Sequence, residues 1–249
     1  MTLNTFLVLG VPNIIGFVLG AIFILVFYPR VKNKSYKERL KPLIIVYVTL
    51  IVAEVVKIIG RVLMEEVLVL GIWPLIFCSF LLYTLPIIVH CDPERMITRI
   101  AKGLTMIVGF VIGFSYIFSY PTYTNDPTFF SYFFNYHSRI YHLIMLTSAV
   151  YLILIRAYDF RFKDFIPLAI VCGLYFHFSG IVSIALNDSL SFFGPKSQYL
   201  SWYYDIFGVG VGNIILSMIG FGAGAGIYAV INVSLRQYRR HKNPKVDSA

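Results

Sequence analysis

The sequence predicts an all-α membrane protein, a polytopic bundle of about seven transmembrane helices with its N-terminus outside and its C-terminus cytoplasmic. Three observations carry that expectation. Of 249 residues, 58% are hydrophobic and 13% are charged, about half the charge of a typical soluble domain. The mean hydropathy is +0.77, and the apolar residues fall in runs of about twenty, the length that crosses ~30 Å of hydrocarbon at 1.5 Å per residue. The basic residues collect between alternate runs. A water-soluble enzyme, a disordered chain and a disulfide scaffold are excluded together.

Taken in order, the expected spans are about 5–28, 42–63, 67–89, 103–120, 137–156, 165–186 and 206–233, followed by a basic cytoplasmic tail at 234–249. They form one transmembrane domain over 1–249, with no repeat and no linker. The runs lack the two-residue alternation of barrel strands, which leaves helices as the spanning form. The opening Met1-Thr2-Leu3-Asn4 has no basic n-region, and the first apolar run is longer than a signal peptide needs. The first span is therefore expected to remain in the mature protein.

Orientation follows from charge. Arg30, Lys32, Lys34, Lys37, Arg39 and Lys41 follow the first span, Arg95, Arg99 and Lys102 the third, and Arg156, Arg161 and Lys163 the fifth. The tail adds Arg236, Arg239, Arg240, Lys242 and Lys245, so that 17 of the 21 Lys and Arg residues share one face. The positive-inside rule makes that face cytoplasmic and the protein a multi-pass protein of the cell membrane. The net charge of +9 has the same origin, and its expected partners are anionic lipid headgroups at that face rather than nucleic acid. The longest outer loops, 121–136 and 187–205, are rich in Tyr, Phe, Trp, Ser and Pro and suit the outer surface as a roof over the bundle. In the last span, Gly208/Gly212, Gly220/Gly224 and Gly222/Gly226 give the spacing of close helix packing, a face for a helix-packing partner.

The informative residues are those too polar for their position. Glu54, Lys57 and Arg61 lie in the second span. At 100° per residue, Lys57 is about 60° and Arg61 about 20° from Glu54, so the three form one stripe. Each costs about 2.5–3.5 kcal/mol at mid-membrane, which turns the stripe toward the bundle interior or a watery cavity. Two readings stand side by side: a self-neutralising structural pair with Arg61 reaching for headgroups, or a pocket for a substrate headgroup.

Cys78, in Trp73-Pro74-Leu75-Ile76-Phe77-Cys78-Ser79, is placed about 8 Å below the outer boundary if its helix begins at Trp73. A thiol at that depth is a small hydrophobe unless a base or cation stands nearby. Candidate bases are His137 in Asn135-Tyr136-His137-Ser138-Arg139, His142 about 7 Å deeper, and His177 in the outer half of the sixth span. Asn187 either orients a histidine or ends its helix, and Arg139 lies on the outer side. Cys78, Cys91 and Cys172 have no CxxC spacing, so neither a disulfide framework nor a metal site is expected, and nothing calls for a cofactor. His90, Cys91 and His241 read as solvated positions on the cytoplasmic side.

Glu54, the Pro74–Ser79 run with Cys78, Tyr136-His137-Ser138 and Asn187 together resemble the YwaF-type integral membrane proteins of bacteria, over about residues 35–230. That resemblance implies a similar length and about seven helices. It also implies kinship with an animal cysteine-dependent acyltransferase acting on ether phospholipids. The chain departs from the bacterial pattern, PLHLC, by carrying Ile76 at the His position, and residues after Asn187 lack the aromatic pattern of the family.

Three functions follow as expectations. In a phospholipid acyltransferase, Cys78 is the nucleophile, His137 or His142 the base and Asn187 its orienter. Glu54, Lys57, Arg61, Arg139 and His177 then line the substrate site, and membrane phospholipids are the substrates. In a solute or proton-coupled transporter, Glu54 and Lys57 form the binding site. In a non-catalytic scaffold subunit, the glycine-rich last helix supplies the interface.

Overall fold

The computed structural model describes residues 10–63, 79–118, 129–157, 161–185 and 205–208. Between 210 and 234 it describes residues 210–212, 214–216, 218–219, 222, 226, 229–230 and 233–234. Among these residues every regular element is a helix. The chain divides into two compact units, 1–158 and 159–249.

The first unit opens with α1 (Val11–Val31), which has a proline in its first turn, where the missing N–H costs nothing. A short helix, α2 (Tyr36–Leu40), follows under a reciprocal capping box between Ser35 and Glu38, satisfying two otherwise orphaned amides. Next come α3 (Pro42–Leu63) and α4 (Phe80–His90). Then α5 (Met96–Ile107) runs through a π turn at Val108–Ile112 into α6 (Gly113–Phe118). The unit ends with α7 (Phe129–Leu154). The second unit holds α8 (Phe165–Ala185), led in by a 3-10 turn at Phe162–Asp164. Its described residues from 205 to 234 are helical apart from Gly208, which has φ +69°.

Two segments, Val11–Val31 and Tyr36–Leu63, are long and apolar enough to cross a membrane by length and composition. On α3 the buried positions Leu43, Val46, Leu50, Glu54, Lys57 and Gly60 recur every three or four residues and form one stripe. Ile44, Val48, Val52, Val55 and Ile59 are exposed on its other side. An apolar outer face and a polar inner stripe invert the arrangement of a soluble helix and suit lipid.

α7 is the axis of the first unit; α1, α3, α5, the π turn and α6 all pack on it. Two glycine pairs let neighbours approach. A Cβ on Gly16 of α1 would stand 2.8 Å from the Leu143 Cβ, and one on Gly20 would meet the Thr147 hydroxyl. On another side, a Cβ on Gly109 would lie 2.7 Å from the Met145 carbonyl oxygen, and one on Gly113 would lie 2.8 Å from that of His142. Both pairs have the four-residue spacing of small-residue helix packing. The π turn begins beside Gly109 and ends beside Gly113, at the tightest part of this contact.

The helix boundaries differ from expectation in two informative places. Residues 129–136, expected in a roofing outer loop, are the first two turns of α7. Phe134 and Asn135 there are buried, and Phe133 lies against Gly60 of α3. Aromatic composition alone does not separate an interfacial loop from a helix face covered by a neighbour. The helix of the fourth expected span, α5, begins at Met96 rather than 103, which places the buried Arg99 and Lys102 inside it. Residues 67–78 of the third expected span lie outside the described residues.

α7 ends in a Schellman motif. The Ala157 amide donates to the Leu152 carbonyl and that of Arg156 to Ile153, with Arg156 at φ +55°. A non-glycine residue in this conformation costs about 1–2 kcal/mol. Arg156→Gly is therefore expected to match or exceed the wild type in thermal unfolding in detergent. Arg156→Val should lose about 1–2 kcal/mol, because a branched Cβ crowds the left-handed backbone. Equal stability of all three would remove the left-handed cap.

Candidate functional site

The predicted stripe exists, and it faces α7. Glu54 and Lys57 form an ion pair between Oε2 and Nζ, and they are 6% and 9% exposed. One turn on, the Arg61 guanidinium lies 5.3 Å from the Phe134 ring centroid, within cation–π reach. His137 of α7 stands opposite. Its Nε2 is 3.0 Å from the carbonyl oxygen of Ala53, the residue before Glu54. A carbonyl can only accept, so Nε2 carries the proton and donates, leaving Nδ1 as the basic nitrogen of the neutral ring. Lys57, Glu54 and Arg61 all act electrostatically on this ring. The rings of Phe133 and Tyr141 flank it at 6.3 and 5.8 Å. Tyr83 of α4 is within electrostatic range of Glu54.

His142 and Arg139 belong to a second cluster on another side of α7. Positions 137 and 142 are about 140° apart around a helix, and 137 and 139 about 160°. His142 stacks on Tyr116 of α6, with ring centroids 3.8 Å apart and planes 1° apart. Its Nδ1 donates to the Ser138 carbonyl. The Ser138 hydroxyl donates to the Tyr116 hydroxyl over 2.8 Å. Arg139, 1% exposed, donates from Nη1 to the Tyr116 carbonyl at 3.2 Å and to Asn13 Oδ1 of α1 at 3.4 Å. Asn13 in turn donates to the Ile117 carbonyl. This network ties α1, α6 and α7 together inside the bundle.

The structure thus brings Glu54, Lys57, Arg61 and His137 together and places Arg139 and His142 elsewhere. His177 is exposed on α8 in the second unit, where a Cβ on Gly210 would lie 3.7 Å from its Cε1. Cys78 and Asn187 lie outside the described residues, as does His241. Cys91 is partly exposed and Cys172 buried, both as free thiols. Among the described residues no group of three His, Cys, Asp or Glu side chains is placed to hold a metal ion.

Several members of these clusters escape a reading of the sequence. Asn13, Tyr116 and Ser138 are ordinary residues of apolar runs, and nothing in their spacing announces a shared network. The Gly16/Gly20 and Gly109/Gly113 pairs do carry a signal, the same four-residue spacing that is conspicuous in the last span. There, a Cβ on Gly222 or Gly226 would meet no described atom within 4 Å.

A profile of the TMEM164 family matches residues 1–230. No curated protein and no solved structure matches the chain significantly. The profile covers more than nine-tenths of the sequence, from before α1 into the last helical segment. The chain belongs to the TMEM164 family, a family of membrane proteins.

Proposed function

We propose that this protein is a multi-pass lipid acyltransferase of the cell membrane, with Cys78 as nucleophile and His137 as base. The observation that carries the choice of base is the bond from His137 to the Ala53 carbonyl, which fixes the tautomer and leaves Nδ1 able to take a proton beside the Glu54–Lys57–Arg61 stripe. His142 is stacked and hydrogen-bonded inside the second cluster and fits a structural role. The reading also draws on the YwaF-type resemblance and on the seven-span, outside-to-cytoplasm topology that the sequence suggests.

In the first half-reaction the Cys78 sulfur attacks the ester carbonyl of a phospholipid while His137 accepts the thiol proton. The tetrahedral intermediate then collapses. The C–O bond breaks, the lysophospholipid alcohol leaves with the proton from His137, and a thioester remains on Cys78. In the second half-reaction an acceptor hydroxyl gives its proton to His137 and attacks the thioester, releasing the thiolate to be reprotonated. Lys57 and Arg61 against Glu54 leave one net positive charge, which suits a phosphodiester monoanion. Asn187 orients the base.

The expected result is an acyl adduct on the intact protein purified with its lipids, removed by neutral hydroxylamine and missing in Cys78→Ala. If that adduct survives in Cys78→Ala, or if Cys78→Ala transfers acyl chains at the wild-type rate, the thiol is not the nucleophile. The buried ion pair also fits a solute or proton-coupled transporter built on Glu54 and Lys57. A transporter would lose uptake in Glu54→Gln and keep it in Cys78→Ala. A scaffold subunit would keep its assembly in both, compared under conditions where each variant remains folded.

A further inference from the structure

At the far end of α7, about 26 Å from His137 at 1.5 Å per residue, basic side chains gather where α2, the turn before α5 and the helix end meet. Arg39 Nη1 donates to the Ile155 carbonyl at 2.7 Å, and the Tyr36 hydroxyl donates to Ala157 at 3.1 Å. The Tyr151 hydroxyl donates to the carbonyl of Arg39 at 2.9 Å. These bonds hold the Tyr36 ring in place. Lys102 Nζ lies 5.1 Å and Arg39 Cζ 5.8 Å from its centroid, both within cation–π distance. Lys102, 3% exposed, also donates to the Pro93 carbonyl at 3.1 Å. Arg99 Nη1 is 3.7 Å from a carboxylate oxygen of Glu94, which is itself largely exposed.

Three features point to an anion. Residues 30–41 and 91–102 carry nine Lys and Arg against three carboxylates, so the surplus survives any pairing within them. Arg39 Nε is buried without a hydrogen-bond acceptor among the described residues, and a half-used guanidinium fork suits an oxyanion. About 60° from Arg99 around α5, the apolar side chain of Met96 is 64% exposed. A free phosphate has no use for it, whereas an acyl-bearing ligand covers it.

We propose that this end of α7 is a binding site for one anionic phospholipid, its phosphate held by Arg39, Lys102 and Arg99 and its chains lying past Met96. The site is separate from the His137 cluster and does not depend on the acyltransferase reading. It differs from a diffuse basic collar in that two defined cations matter more than the exposed lysines around them.

The test is native mass spectrometry of the full-length protein released from detergent carrying equal phosphatidylglycerol and phosphatidylcholine, with thermal unfolding as a folding control. The wild type should retain one phosphatidylglycerol in preference to phosphatidylcholine. Lys102→Gln should weaken that retention about tenfold, the loss of one charge-assisted hydrogen bond. Arg39→Lys, which keeps the charge and loses the fork, should also weaken it, and it decides the matter if Lys102→Gln unfolds. The double variant Lys34→Gln/Lys37→Gln, at exposed positions, should retain lipid as the wild type does. Equal retention of the two lipids overturns the site. An equal loss in the Lys34/Lys37 variant replaces it with a diffuse collar, and complete displacement by inorganic phosphate replaces it with a soluble phosphate site.

Discussion

Removing either member of the Glu54–Lys57 pair should destabilise the bundle by about 3–5 kcal/mol, and removing both should restore most of the loss. Both side chains are withdrawn from solvent on the α7-facing stripe of α3. Glu54→Gln leaves the Lys57 ammonium without its counter-charge, beside Arg61 and His137. Lys57→Met leaves the Glu54 carboxylate in the same surroundings. In Glu54→Gln/Lys57→Met no charge remains to be solvated at either position, and the apolar side chain fills much of the volume. Unfolding in detergent, read as a double-mutant cycle, should give a coupling well above the few tenths of a kcal/mol seen for independent sites. Additive single effects would show that the pair contributes no mutual stabilisation. Because the same two residues line the proposed substrate site, activity should be compared only among variants that unfold like the wild type.

Enlarging Gly109 or Gly113 should have an effect of similar size by a different route. A methyl group on Gly109 would meet the Met145 carbonyl at 2.7 Å and the Ala149 Cβ at 2.6 Å, and one on Gly113 would meet the His142 carbonyl at 2.8 Å. These neighbours are backbone or a Cβ fixed to it, so no rotamer change relieves the clash and α5–α6 must move away from α7. Overpacking of this kind costs about 1–3 kcal/mol for a small addition. Gly109→Ala should fall in that range and Gly109→Leu above it. The second cluster should respond too, because Tyr116 reaches Ser138, Arg139 and His142 from α6. Gly222→Ala is the matched comparison, with no described atom within 4 Å of the added carbon, and should change stability by less than about 0.5 kcal/mol. If both alanine variants unfold alike, the close approach at Gly109 does not contribute to stability.

The contrast between these two predictions separates what periodicity reveals from what it cannot. That Glu54, Lys57 and Arg61 share a face is fixed by the helix repeat, a local property of one segment. That the face turns inward follows from the cost of charge in hydrocarbon. The structure agrees for Glu54 and Lys57. By contrast, Gly109/Gly113 and Gly222/Gly226 look alike as sequence, yet only the first pair has a described neighbour pressed against it. The difference lies in residues 142–149, about thirty positions away along the chain, and no local pattern encodes that they stand opposite.

The histidines make the same point for chemistry. His137 and His142 differ by five residues, and as sequence they are equivalent candidates for a base. Five residues turn the helix by about 140°, so one meets the Ala53 carbonyl beside the charged stripe and the other meets Tyr116. Which side of α7 faces α3 was decided by packing across more than eighty residues of intervening sequence. Arg139, two residues and about 160° from His137, is turned away from Lys57 and Arg61 in the same way.

The sequence by itself determined the membrane character, the helical class and the polar stripe of α3, because each depends on composition or on the 3.6-residue repeat within one segment. Only the tertiary structure decided which glycines let helices touch, which histidine joins the stripe, and that residues 129–136 continue α7. Those outcomes depend on pairs of residues far apart in the chain whose meeting is set by side-chain volume and hydrogen bonding across helices, and such information is absent from any single segment.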